Sequence, residues 1–537
     1  MFPDLIVHNA RIATLAGDRA GAPPTALCAW NGRIVAVGRD ERLLPAASGA
    51  RVVDAGGRFI CPGFTDSHVH LSSWAMLQSG RQVDLEGARS LAEALARLGA
   101  AVASVPPGGW LRGRGWDKNR WPEGRFPTAA DLDAVTGEVP AAIPSHDGHS
   151  LWVNTAAMRI AGVTAHTPEP AGGRILRAAD GVPNGLFQEA ANGLVWGRVP
   201  EPSVDELVAA LAAALPRASA LGLVAVHNCE GGDSMEAVRL LRRERRLSVR
   251  IVRYPPAELL PALSGLSLGS GFGDEWIGIG GVKAFLDGAL GAQTAAMLAP
   301  YEAGDDAGVL SMEADELLDL IRRATEASLA VALHAIGDRA VRMALDVFET
   351  VKEDWHGAWP RHRIEHAQHL TEEDVPRFGR LGIVASMQPA HMLADIDTCS
   401  RHVGDRSRWA FPLASLAASG AVLAFGSDAP VETMDPLVGL RSAVTRRRWD
   451  GTPLEGWYPE QKLTVEQALA GYTVGPAYAA GRESLTGTLE PGKLADFVLL
   501  SADPRAVAAD ELEQVRVVAT VVGGRATYDP EGLFGAR

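Results

Sequence analysis

Short apolar runs broken by turn residues open the chain. Leu5-Ile6-Val7 leads into Asn9, and Ile12-Ala13-Thr14-Leu15 follows. Ala26 to Trp30 reaches Asn31-Gly32, after which Ile34-Val35-Ala36-Val37 resumes the pattern. Asn-Gly between apolar runs predicts a β-hairpin, because both turn positions need left-handed backbone. Val52-Val53-Asp54 and Arg58-Phe59-Ile60 continue the texture, and the C-terminal end repeats it in Asp496 to Leu500, Val515 to Val522 and Arg525 to Tyr528. Both ends therefore predict strands, and the economical arrangement is a small β-sandwich domain built from residues 1–62 and 483–537.

Between them the pattern changes. Fully apolar strand candidates recur, each ending in polar residues: Phe64 to Asp66, Trp110 to Trp116, Leu223 to Val226, Gly281 to Phe285, Ala330 to Leu333, Arg363 to Glu365, Ile383 to Met387 and Ala421 to Phe425. Helical periodicity intervenes, as in Val204 to Ala220 and Ala314 to Ser328. Buried strands alternating with helices imply a parallel sheet, and eight such units predict an α/β fold of the (β/α)8 TIM-barrel type over residues 63–482. A further strand candidate at Ala141 to Ile143 falls in a stretch dense in Gly, Pro and Trp, placed as an insertion over about residues 80–200.

Composition narrows the function. The 537 residues carry a net charge of −14, which argues against nucleic acid, whose partners usually present a basic face. No apolar run approaches a membrane span, and Met1 to Asp4 shows no basic leader, so a cytoplasmic enzyme is expected. The expected partner is a small-molecule substrate, with homodimerisation left open. The four cysteines are far apart, with no C-x-x-C, and are read as buried thiols, with Cys229 alone near enough to a strand end to be considered for the site.

Read at the ends of the expected strands, the chemistry-bearing residues form an ordered series. His68 and His70 end the first strand, two apart, so in extended backbone both point the same way and can share one metal ion. Lys283 follows on the fourth, His334 on the fifth, Glu365-His366 on the sixth and Gly426-Ser427-Asp428 on the eighth. A barrel brings the C-terminal ends of its strands to one mouth. Imidazoles and carboxylates suit Zn²⁺ and related divalent ions, which can hold a water that ionises near neutral pH. Asp428 can both touch the ion and take that water's proton. Lys283 is no ligand as an ammonium, but becomes one as a carbamate; its alternative is an ion pair with Asp287.

The chain resembles the amidohydrolase superfamily, in the group called amidohydrolase family 3 or YtcJ-like. The likeness rests on Pro62-Gly63-Phe64-Thr65-Asp66-Ser67-His68-Val69-His70, Ser145-His146-Asp147-Gly148-His149, Gly281-Val282-Lys283 with Asp287-Gly288, the His334 segment, Glu365-His366-Ala367-Gln368, Gly426 to Pro430 and Pro491 to Asp496. It implies that His68 and His70 bind one metal, that His334 and His366 bind a second, and that Lys283 bridges them as a carbamate. Asp428 would be ligand and general base for hydrolysis of a non-peptide amide-type C–N bond, in an N-acyl compound or an N-substituted formamide. Trp116, Trp121, His149, His227, Gln388 and His391 are the expected substrate-pocket residues, with Thr294 read as structural. His8, His166, His356, His362 and His402 are read as surface or loop histidines.

Two other readings remain at this level. One is a ring deaminase or cyclic-amide hydrolase of the same superfamily; it is disfavoured because many such deaminases carry Glu three residues after the fifth-strand His, whereas Gly337 stands there. The other is a non-enzymatic scaffold, which should have lost ligands that this chain retains.

Overall fold

The computed structural model describes residues 3–17, 22–232, 234–352 and 360–535; His356 lies outside them. The two ends of the chain interleave. One sheet runs in the order Arg33–Gly38, Ala26–Trp30, Leu5–His8, Arg51–Asp54, and another in the order Arg11–Ile12, Phe59–Pro62, Phe497–Leu500, Val517–Val522, Arg525–Tyr528. Leu5, Val7 and Leu27 of the first share one buried cluster with Ile60, Phe497, Leu499 and Val521 of the second. The Asn31-Gly32 turn has φ of 48° and 78°, the left-handed pair that lets Trp30 face Arg33.

The middle holds two parallel sheets. One orders Ile277–Ile279, Arg250–Arg253, Leu223–Asn228 and Phe64–Val69; the other orders Gly281–Phe285, Ala330–Ala335, Arg363–His366, Val384–Met387 and Leu423–Phe425. Isolated parallel bridges, Pro256 with Lys283 and Val69 with Ala429, link the first sheet to the second at both sides. The helix Val204–Ala220 packs outside, started by a reciprocal capping box between Ser203 and Glu206. Its buried stripe of Leu207, Ala210, Leu211, Ala214 and Leu215 joins the large core around these strands.

One expected strand is displaced. Leu111–Arg114, taken from the sequence as the second barrel strand, instead lies in a separate six-stranded sheet with Val83–Asp84, Ala141–Pro144, Ser150–Val153, Pro183–Glu189 and Gly173–Arg177. Its side chains alternate buried and half-buried, which is the signature of a sheet with one covered face. The strand overlooked in its place is Arg250–Arg253. Arginines at both of its ends disguise it, yet all four residues are buried. Arg250 pairs with Asp496, and Arg253 donates to the Glu230 carbonyl at 2.7 Å.

Candidate metal centre

The strand Phe64–Val69 delivers His68 and, one step beyond its end, His70 to the same side. Asp428 Oδ1 lies 3.4 Å from His68 Nε2 and 3.1 Å from His70 Nε2. It nevertheless receives no hydrogen bond of good geometry, although it is buried. Closeness without hydrogen-bond geometry is what donor atoms converging on a common centre show. One ligand atom each from His68, His70 and Asp428 lies within 4.8 Å of the others, and the same holds for His366, His391 and Asp428. His366 Nδ1 is likewise buried without a hydrogen-bond partner. The donor set of imidazoles and one carboxylate therefore fits a divalent cation.

Backbone conformation helps to build the cluster. A regular strand would turn consecutive residues to opposite faces, but His366 and Asp428 adopt φ of 70° and 57°. Non-glycine residues rarely occupy this region, and its cost of order 1–3 kcal/mol is borne here at two of the converging side chains. Thus Glu365 and His366, neighbours in sequence, both serve the same centre: the His366 ring centroid is 5.2 Å from that of His68 and 4.4 Å from that of His334. Gly426 is required two residues before Asp428, since a Cβ there would stand 2.5 Å from the His68 backbone nitrogen.

Asp66 buttresses this junction. Its carboxylate accepts from the His68 amide at 3.1 Å and the Ser427 amide at 3.0 Å, so it ties the two strand ends together. Burial pushes Asp66 up to about 7 against these hydrogen bonds. Burial and the nearby Lys283 push His68 down to about 4, and burial drives His334 and His366 well below the usual imidazole range. All three rings are therefore held neutral, the state in which imidazole is a ligand. Burial opposes charge on Asp428, and a proton on any of the facing rings of His68, His70 or His366 would outweigh it and draw the carboxylate well below its usual range.

Lys283 is buried, with Nζ 3.5 Å from His68 Nε2 and 4.6 Å from the Phe285 ring centroid. It does not pair with Asp287, whose oxygens instead accept the amides of Ile336, Gly337 and Ala296 at 3.0, 2.7 and 2.9 Å. His334 Nε2 lies 3.1 Å from the Gly288 carbonyl, so that nitrogen carries the proton and Nδ1 is left with the lone pair.

Above the centre opens a cavity enclosing about 790 Å³ including its mouth. His334, His366 and Asp428 reach its floor, and its wall includes Trp116, His149 and His391. His149 comes from the inserted sheet. Its Nδ1 meets Glu189 Oε2 at 2.9 Å; burial lowers its basicity, but Glu189 outweighs this and pushes the ring up to about 9. His391 Nε2 lies 3.1 Å from the Ser427 carbonyl.

Three residues expected in the pocket do not line it. Trp121 is buried in the insertion core, packed on Trp116 and donating to the Ala88 carbonyl at 3.0 Å. His227 lines a separate, smaller cavity, 3.0 Å from Arg363 Nη1. Gln388 is buried beside the Ser386 carbonyl. Cys229 packs among Val252, Tyr254, Ala332 and Ala480, and burial pushes its thiol up to about 12; all four cysteines are buried and unpaired to one another. Thr294 holds a structural position, its hydroxyl binding Glu189 and the Ala289 amide. His362 and His402, read as surface residues, are buried. Sequence reasoning assigned no role to Asp66, Glu189 or Asp395, which meet Ser427, His149 and Gln368, residues distant in the chain.

The family model described as the amidohydrolase family matches residues 51–528, and the chain belongs to that family. It is 35% identical over 546 residues to LONG AFTER FAR-RED 3 of Arabidopsis thaliana, spanning 98% of this chain and 91% of that protein. It is 30% identical to the N-substituted formamide deformylase of Arthrobacter pascens, spanning 98% and 99%. Among solved structures, an uncharacterized metal-dependent hydrolase from Pyrococcus horikoshii OT3 superposes with a TM-score of 0.77 at 29% identity, covering 94% of this chain and 99% of that one. Among the described residues, no helix is long and apolar enough to cross a membrane.

Proposed function

We propose that this protein is a metal-dependent hydrolase of a non-peptide amide-type C–N bond in a small molecule, an N-substituted formamide or N-acyl amine. The observation that carries this reading is the convergence of His68, His70 and Asp428, with an Asp428 oxygen buried and free of hydrogen bonds, beneath an open cavity. The formamide deformylase relative supports the choice of bond. His68, His70 and Asp428 would hold a divalent ion, Zn²⁺ by donor type, and by the family resemblance His334 and His366 would hold a second. Such an ion, when bound, supplies a Lewis acid and water that ionises near neutral pH. Asp428 takes the proton of the attacking water and passes it to the leaving nitrogen. His149 offers a hydrogen bond to the substrate, and Trp116 and His391 shape its seat. Lys283, buried beside His68, would serve as a further ligand in its carbamate form.

The same reading treats the two parallel sheets as one (β/α)8 barrel over residues 63–482, a view supported by the bridges at Lys283 and Ala429. The interleaved terminal strands then form a separate β-domain, and the buried free thiols suit a cytoplasmic protein. Metal analysis coupled to an assay of N-substituted formamides, N-acyl amino acids and cyclic amides tests the function. Bound zinc with release of formate or a carboxylate is expected. A protein that takes up no metal and stays inactive after Zn²⁺ is restored refutes it.

A further inference from the structure

Arg363 and Glu365 are two apart on one strand, so both side chains lie on one face. Both are fully buried. Arg363 grips Glu365 in a two-point pair, Nε to Oε1 and Nη2 to Oε2. The Ser386 hydroxyl donates to Glu365 Oε2 at 2.7 Å, and that oxygen also receives His68 Nδ1 at 2.6 Å. Arg363 donates further to the Ser67 carbonyl at 2.6 Å and meets His227 Nδ1 at 3.0 Å, while its guanidinium lies 4.8 Å from the Tyr254 ring centroid.

Burying two charges costs several kcal/mol each, and apolar residues would fill the same space as stably. The network does something that apolar packing cannot: it ends on one nitrogen of His68. A carboxylate only accepts hydrogen bonds, so Nδ1 must carry the proton. In the neutral ring Nε2 then holds the lone pair, and Nε2 is the atom that faces Asp428 Oδ1 and Lys283 Nζ.

We propose that Glu365, clamped by Arg363 and Ser386, is the positioning residue of the metal centre: it fixes the Nδ1–H tautomer of His68 and so presents the Nε2 lone pair to a divalent cation. The assignment rests on His68 being a ligand, as proposed above. In Glu365→Gln the amide oxygen is claimed by the guanidinium donors, which turns the amide N–H toward His68 and favours the opposite tautomer. Partners of this kind contribute about 10–100-fold in metal affinity.

The test is Zn²⁺ affinity at pH 7, by chelator competition on the full-length protein, for wild type, Glu365→Gln and Glu365→Asp, with circular dichroism to verify folding. Binding about 10–100-fold weaker in folded Glu365→Gln, partly recovered in Glu365→Asp, is expected; affinity within twofold of wild type overturns the assignment. Where Glu365→Gln does not fold, ¹⁵N-histidine NMR of the metal-free wild type decides, with the His68 signal identified by its loss in His68→Gln. An Nδ1–H tautomer supports the proposal and an Nε2–H tautomer overturns it. Wild-type protein that binds no Zn²⁺ refutes the proposed function itself, and this assignment with it.

Discussion

Arg250 and Asp496 join the central parallel strands to the strands from the chain ends, and their removal should be felt throughout the molecule. The pair is buried, with Arg250 Nε 2.7 Å from Asp496 Oδ2 and Nη2 2.9 Å from Oδ1. Asp496 Oδ1 also accepts the Gly523 amide at 2.7 Å, and the guanidinium lies 4.8 Å from the Trp276 ring centroid. Removing one partner leaves the other charge buried without compensation, which costs about 3–5 kcal/mol. Native proteins have roughly 5–15 kcal/mol in hand, so Asp496→Asn or Arg250→Met alone should remove a large fraction of the stability. The double variant should lose no more than either single one, because no unpaired charge remains and the carboxamide oxygen introduced by Asp496→Asn still offers Gly523 an acceptor. Urea unfolding followed by tryptophan fluorescence, run as a double-mutant cycle, measures this. Additive losses in the double variant would show that the two residues act independently and would refute the reasoning.

Asp428→Asn should keep the protein folded and retain most metal while lowering hydrolysis of its substrate by about 10²–10⁴-fold, the scale of a lost general base; unchanged kcat would remove Asp428 from that role. Gly426→Ala should cost about 1–3 kcal/mol and lower metal occupancy, because the new methyl would stand 2.5 Å from the His68 amide nitrogen and 2.8 Å from Asp66 Oδ1; an equally stable, fully metallated variant would contradict it. Burial raises Asp395, on the cavity wall, from 3.8 to about 6. Between those pH values the native state holds a proton that the unfolded chain releases, so this group erodes stability as pH rises from about 4 to 6. Asp395→Asn should abolish that loss of about 2–3 kcal/mol, making the variant relatively more stable at pH 7.5 than at pH 4; parallel pH profiles in urea unfolding would count against it.

Much of the site could be read in the residues because its signals are local. His68 and His70 share a side by the period of two in extended backbone, and the Asn31-Gly32 hairpin follows from backbone freedom at two positions. The order His68, Lys283, His334, His366, Asp428 marked the successive strand ends on which a centre could be built. Elsewhere local pattern misled. Leu111–Arg114 and Arg250–Arg253 exchanged places because each carries two arginines and local pattern does not separate them; only the distant Asp496 shows that Arg250 is neutralised inside. Trp116 and Trp121 are indistinguishable as residue types and both pack in the insertion core, yet only Trp116 also lines the cavity.

What the sequence by itself determined is therefore the inventory: which side chains can bind a cation, which strands carry them, and which family they belong to. The tertiary structure alone decided their states. It turned His366 and Asp428 inward through left-handed backbone, and it set Arg363 and Glu365 behind His68. It also withheld His227, Gln388 and Trp121 from the cavity. The reason is physical: ligand identity is a property of a residue, but burial, tautomer and charge arise from neighbours hundreds of positions away, which only the packed chain brings within hydrogen-bond reach.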